Sequence, residues 1–349
     1  MGIKTKDPLN LNEWVNLTEG VEWLPTRRSL FTDLGLFQVE PLDSNTAILP
    51  ITTVSDYVMV DIPYGTRVKN TGSNGKATLR LAVPHFGEED AVRPLDVKGK
   101  VAFEDFQLGS RPETLNNVIE RKQIQHRQTM VNTHEKAMKQ LVVDGTAYAP
   151  NGTILCNYFT AFGVTQSTIG LDLAPDVDPT LSIQAIKDNI ADNFKGGYTP
   201  SQYTAIIGRT AFDALKSHPF VVENSRQIQD RQSLEILTGT LGTDAPVGAN
   251  LGKMYQVLDF GGVLWIRVDT TVLPVSEYRM FPTDIPDMFK IFTAPSDMTF
   301  DSIDQPAQLE YYWEKMEADR TGLSMVYETN FLCGTLWPKA IVKGTATYA

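Results

Sequence analysis

The stretch Arg111 to Gly145, "RPETLNNVIERKQIQHRQTMVNTHEKAMKQLVVDG", restricts the architecture more than any other. Pro112 suits a first-turn position, Glu113 follows it, and Gly145 ends the pattern. Between them Leu115, Val118, Ile119, Met130, Ala137, Met138, Leu141 and Val142 recur at spacings of three, four, seven and eight, giving one apolar stripe. A helix of roughly 30 residues is about 45 Å long at 1.5 Å per residue. That is long for a globular core and suits a strut. His126 and His134 lie on it without the i, i+4 spacing of a zinc-binding helix, so both are expected at exposed polar positions. Glu135 and Lys139 are expected to pair along the helix surface.

The segments before the helix are extended. Residues 1–50 read as an arm, with Pro8, Pro25, Pro41 and Pro50 interrupting any long helix. Trp14 and Trp23 on so irregular a segment require a surface to lie on. From 51 to 100 the period changes to two, and alternating runs flank the turn-rich "NTGSNG". This is a long hairpin carrying Arg67, Lys69, Lys76 and Arg80. A two-stranded ribbon is marginally stable alone, so it must pack against its own chain or another. Its descending limb brings His85 close to Glu88 and Glu89 on what reads as a loop, open either to site chemistry or to contact with another copy.

After the helix, "TAYAPNGTILCNY" is a second hairpin turning at Pro150-Asn151-Gly152. Leu181 to Phe194 reads as an amphipathic helix, "YTAIIG" as a buried strand, and "RTAFDALKSH" as a further helix. "MYQVLDFGGVLWIRVD" is a strand pair around Gly261-Gly262. Residues 180–270 therefore form an α/β unit with its own core, and the remainder is mostly strand. The whole is α+β.

Composition excludes more than it assigns. With 349 residues, two or three subdomains are expected. A net charge of −11 provides no overall field toward nucleic acid, which argues against a sequence reader of DNA and does not exclude a protein that surrounds DNA without sticking to it. No apolar run is long enough to span a membrane, and the start "MGIKTKDPLNLNEWVN" lacks the apolar stretch of a secretory signal. Cys156 and Cys333 are expected as reduced thiols. A metal site needs three or four convergent ligands, and no other His or Cys lies within 30 residues of His85. "GTDAPVGANLGKM" has the wrong glycine spacing for a phosphate loop, with Met254 where Ser or Thr is required. No Gly-x-Ser-x-Gly elbow or Cys-x-x-Cys occurs. Neither an enzyme activity, a cofactor nor a metal is expected, and an α/β enzyme centred on 180–270 lacks a nucleophile.

Five stretches, in order, carry a resemblance: "FTDLGLFQVEPLDSNTAILPI", "LAVPHFGEEDAVRPLDVKG", "NNVIERKQIQHRQTMVNTHEKAMKQLVVDGTAYAPNGTI", "YTAIIGRTAFDALKSH" and "DRTGLSMVYETNFLCGTLWPKAIV". With them the chain resembles, over nearly its whole length, the lambda-type major capsid proteins of tailed bacteriophages (the phage major capsid protein E family), which adopt the Hong Kong 97-type shell fold. The resemblance implies an N-terminal arm at 1–50, an extended loop at 51–105, and a peripheral domain with a spine helix at 106–180. It implies an axial domain at 181–272 and a return to the peripheral domain at 273–349. It further implies self-assembly into pentamers and hexamers around double-stranded DNA, in a virion assembled in the host cytoplasm. Scaffolding, portal and decoration proteins are the partners such a shell takes. Trp14, Trp23, Arg67, Lys69, Lys76, Arg80, Glu88 and Glu89 are then intersubunit contacts, and the loop at 85–89 faces a neighbour or solvent. An encapsulin-like compartment shell is the alternative within the same fold. Isopeptide cross-linking, used by some members of the wider fold, lacks an assigned Asn and Glu partner here.

Overall fold

The computed structural model describes residues 15–17, 29–51, 77–97, 115–149, 153–194, 198–223, 255–296, 306–317 and 322–348. Trp14, Trp23, Arg67, Lys69, Lys76 and the glycine-rich segment 242–254 lie outside these.

The expected strut forms. Helix α3 (Leu115–Asp144) follows two short helices, α1 (Leu30–Leu34) and α2 (Pro94–Val97). Val118, Met130, Ala137, Met138, Leu141 and Val142 are all buried, so the apolar stripe is the packed face. Gly145 terminates it at φ +64°, a left-handed conformation where a side chain would be strained and would also strike the Phe159 ring. One of the last carbonyls is satisfied from outside the helix: Arg279 Nε donates to Val143 O at 3.0 Å. A buried guanidinium at a helix C-terminus also complements the helix dipole.

Beside α3 stands a six-stranded sheet built on β15 (Leu323–Gly334). Along it run β14 (Tyr311–Met316), β13 (Lys290–Thr293) and β5 (His85–Val92), with β1 (Val15–Asn16) on β14 and β2 (Gln38–Pro41) on β13. The expected loop at 85–89 is thus a strand. Its eight residues pair antiparallel with β15, from Val92 opposite Leu323 to His85 opposite Asn330. The short polar run hid it: Gly87, Glu88 and Glu89 break the apolar alternation by which strands are read.

A second six-stranded sheet runs β10-β11-β9-β12-β16-β8, comprising Val257–Phe260, Val263–Val268, Tyr203–Gly208, Glu277–Pro282, Val342–Thr347 and Leu171–Asp172. β9 and β11 are parallel neighbours, with α6 (Arg209–Ser217) following β9. Helix α5 (Pro179–Asp192) buries Ile183, Ile186 and Ile190, and Asp178 caps it by accepting from Thr180 N at 2.9 Å. The α/β unit read over 181–272 therefore continues in this sheet: β12 and β16, both from 273–349, and β8 belong to it. Composition along the chain cannot reveal that a strand 134 residues after Gly208, at Val342, completes the same sheet. Gly344 makes that pairing possible, since any Cβ there would meet the Ile169 carbonyl and the Tyr278 ring.

Two ribbons complete the structure. β3 (Thr46–Ile51) pairs with β4 (Ala77–Ala82), and β6 (Thr146–Tyr148) with β7 (Ile154–Asn157), followed by α4 (Tyr158–Ala161). Ala47 and Leu49 point into the core, as do Leu30, Phe31 and Leu34 of α1. The described parts of the expected arm, 15–17 and from Ser29 onward, are therefore packed on their own chain. One apolar core joins α1, the C-terminal half of α3, both ribbons and the second sheet. A smaller one joins Val92, Val118, Met130, Leu323, Met325 and Tyr327 at the other half of α3.

Candidate assembly surfaces

Between α3 and the β5–β15 sheet lies a polar seam. Asp90 is its centre: Lys122 Nζ donates to both carboxylate oxygens at 2.9 Å, and His126 Nε2 lies 3.0 Å from Oδ2. The Ala91 N–H donates to Oδ1 at 2.7 Å. Burial pushes the Asp90 carboxyl up, but Lys122, the Ala91 amide and His126 outweigh it and hold it below the usual range. Tyr327 stacks on the His126 ring at 4.2 Å between centroids and donates its hydroxyl to Glu88. If Nε2–H serves Asp90, the buried Nδ1 has no partner and is the unprotonated nitrogen. Burial lowers the His126 pKa, with Asp90 pulling the other way.

Two turns along, His134 is buried against Phe331, edge to face at 4.7 Å, with Nε2 2.8 Å from the Thr329 hydroxyl. The Glu310 carboxylate stands 3.7 Å from Nδ1 and 3.8 Å from Arg127. Desolvation holds the His134 pKa down at about 3. Both helix histidines, expected at exposed positions, are thus among the most buried polar residues, at 5% and 4% exposure. They share the apolar face of α3, and the strand they meet lies some 200 positions away in sequence, where no local pattern could point.

Glu135 and Lys139 do not serve one another. Glu135 reaches α1 and accepts from Phe31 N at 2.9 Å, capping that helix from outside, while Lys139 donates to the Thr271 carbonyl. Burial raises the Glu135 pKa, opposed by the Phe31 amide.

Three of the expected contact residues are described. Arg80 is exposed on β4, opposite Ile48, which is 54% exposed. Glu88 and Glu89 are exposed on opposite faces of β5. Among the described residues β5 pairs only with β15, so its outer edge is open. A groove beside it is lined by Phe86, Gly87, Thr129, Thr133 and Tyr327. His85 belongs to no ligand set; its Nδ1 lies 2.6 Å from Asn330 Oδ1. Among the described residues no three His, Cys, Asp or Glu side chains come together as metal ligands, and Cys156 and Cys333 are unbonded thiols. Burial raises both thiols' pKa values, which removes the thiolate reactivity a nucleophile needs.

A family model described as phage major capsid protein E matches residues 13–346. The major capsid protein of Pseudomonas phage KPP10 is 28% identical over 352 residues, covering 96% of this chain and 97% of that protein. The major capsid protein of Salmonella phage Felix O1 is 22% identical over 259 residues, covering 72% and 68%. A putative capsid protein of an E. coli CFT073 prophage shares the fold at TM-score 0.53 and 12% identity, over 96% of this chain and 100% of that one. The capsid protein of cyanophage P-SCSP1u does so at TM-score 0.51 and 12% identity, over 93% and 90%.

Proposed function

The chain belongs to the phage major capsid protein E family, and on that footing we propose how its surfaces build a shell. It is a structural capsid protein with the Hong Kong 97-type α+β fold, and many copies associate to form the head of a tailed phage. The observation that carries the reading is the family match over residues 13–346, on a fold whose prominent features are a strut, an open strand edge and a ribbon rather than a reaction centre. The curated relatives are named capsid proteins, which leaves the encapsulin-like alternative without support of its own.

Pentamers and hexamers close the shell around double-stranded DNA, each contact modest and repeated by symmetry. The open edge of β5, with Glu88 and Glu89, receives the basic segment carrying Arg67, Lys69 and Lys76 from a neighbouring copy, while Arg80 and Ile48 present the outer face of the β3–β4 ribbon. An unpaired edge is a template for another chain, and opposite charges fix its register. Trp14 and Trp23 anchor the arm on a neighbour in the same way. No reaction is catalysed. Scaffolding, portal and decoration proteins are the further partners, and assembly takes place in the host cytoplasm.

Negative-stain electron microscopy of the overexpressed protein, with light scattering for size, tests this. Closed shells or tubes tens of nanometres across are expected, alone or with a co-expressed scaffold. A small oligomer under both conditions overturns the reading, and shells loaded with protein cargo in place of nucleic acid revive the compartment alternative.

A further inference from the structure

A cavity of about 250 Å³ opens between α1, α3 and the β2–β13 edge of the first sheet. Phe31, Phe37, Val131, Met138 and Ile291 give it apolar walls, and Val39, 53% exposed, stands at its mouth. His134, Glu310 and Arg127 form its polar end. Which ring nitrogen of His134 carries the proton follows from its neighbours. The Thr329 hydroxyl donates its one hydrogen to the Leu309 carbonyl at 2.6 Å, so toward His134 it is an acceptor. Nε2, 2.8 Å from that oxygen, is therefore the N–H. Nδ1 is left as a bare acceptor on a side chain only 4% exposed. Nothing among the described residues donates to it. Its polar neighbour is Oε1 of Glu310, another acceptor, at 3.7 Å, while Arg127 Nε addresses the other carboxylate oxygen at 3.8 Å. Burial keeps the ring neutral, so Nδ1 stays an acceptor at neutral pH.

We propose that this cavity is a binding site for a small neutral aromatic molecule carrying one N–H or O–H donor, seated with that donor on His134 Nδ1. Four features select this class. An apolar cavity of about 150 Å³ already holds a benzene, so a bicyclic ring fits here. Phe31 and Phe37 offer ring edges and faces, and the Met138 sulfur a further aromatic contact. A cation is disfavoured by Arg127, and an anion by Glu310 and the Nδ1 lone pair. A buried acceptor discriminates against a ring that cannot donate to it. The site is built by one subunit alone and does not depend on shell formation.

Indole and 1-methylindole, which keeps the bicyclic ring and loses the donor, test the assignment on the full-length, methyl-labelled subunit at pH 7. Indole is expected to bind at millimolar concentration or below and to shift the Ile291 and Val131 methyl resonances. 1-Methylindole is expected to bind about tenfold more weakly, the cost of leaving one buried acceptor unpaired. His134→Phe is expected to remove the difference between the two probes. Val39→Phe, a change at an exposed mouth position, is expected to weaken both. Equal affinities of the two probes for the native protein overturn the donor assignment. Absence of binding, or binding that Val39→Phe leaves unchanged, overturns the site. Trp23 is the other source of an indole in this chain to be tested. Indole binding that tightens in Trp23→Phe assigns the cavity to the chain's own side chain and overturns the small-molecule reading, whereas unchanged binding upholds it.

Discussion

His134 makes the junction of α3 with the sheet sensitive to acid. Its imidazole is neutral and buried, with a folded pKa of about 3 against 6.5 when unfolded. The folded value is depressed for a base, so the unfolded chain binds the proton more readily. The stability this neutral form supports is present above pH 6.5 and is lost progressively as pH falls toward 3. At pH 5 the unfolded histidine is favoured roughly thirtyfold by protonation while the folded one stays neutral, a loss of about 2 kcal/mol. At pH 7 the same contribution is only about 0.2 kcal/mol. The figure hardly depends on the folded value, because any folded pKa below about 4 leaves the imidazole neutral at pH 5. Glu310 does not reverse the sign: its carboxylate, 3.7 Å from Nδ1, is shared with Arg127.

Other groups titrate in the same range, some oppositely. Glu135 and Glu314 have raised pKa values, so acid relieves part of their burial cost, whereas His126 adds to the loss. The decisive comparison is therefore His134→Gln, which keeps a hydrogen-bonding group for the Thr329 hydroxyl and cannot titrate. Urea unfolding of the unassembled subunit at pH 7 and pH 5, followed by tryptophan fluorescence, reports through buried Trp265 and Trp313. The native protein is expected to lose about 2 kcal/mol more than the variant between the two pH values. Curves that shift in parallel, within about 0.5 kcal/mol, refute the reasoning.

Three further outcomes follow from named contacts. Gly344→Ala places a methyl against the Ile169 carbonyl and 2.6 Å from the Tyr278 ring, and a loss of about 3 kcal/mol or more in urea-unfolding stability is expected. Glu135→Ala uncaps α1 and costs about 1 kcal/mol, with faster hydrogen exchange at the Phe31 amide; unchanged exchange there rejects the cap. Glu89→Lys, on the face of β5 away from the Tyr327–Glu88 contact, is expected to abolish shells while leaving subunit stability within about 1 kcal/mol, and Lys69→Glu with Lys76→Glu in the same chain to restore them under electron microscopy. Normal shells from Glu89→Lys alone count against the charged-edge contact.

What the sequence disclosed depended on whether a residue's partner was near in the chain. The α3 stripe, the α5 helix, the β6–β7 hairpin and the β10–β11 pair are short-range patterns of period 3.6 or 2, and each stands where periodicity put it. The same periodicity placed His126 and His134 near the face that carries Met130 and Ala137, yet polarity alone assigned them to solvent. A polar residue on an apolar face is resolved only by its distant partner: Asp90 for one, Thr329 for the other. Glu135 shows the converse. Lys139 is its neighbour by helical geometry, but the unsatisfied amides at the start of α1 are a better acceptor's target than an exposed ammonium, whose pairing stabilises a helix by only a few tenths of a kcal/mol. β5 failed for a third reason. Its polar character suits an edge strand, because a long apolar edge invites unregulated pairing, and among the described residues β5 is paired on one side only.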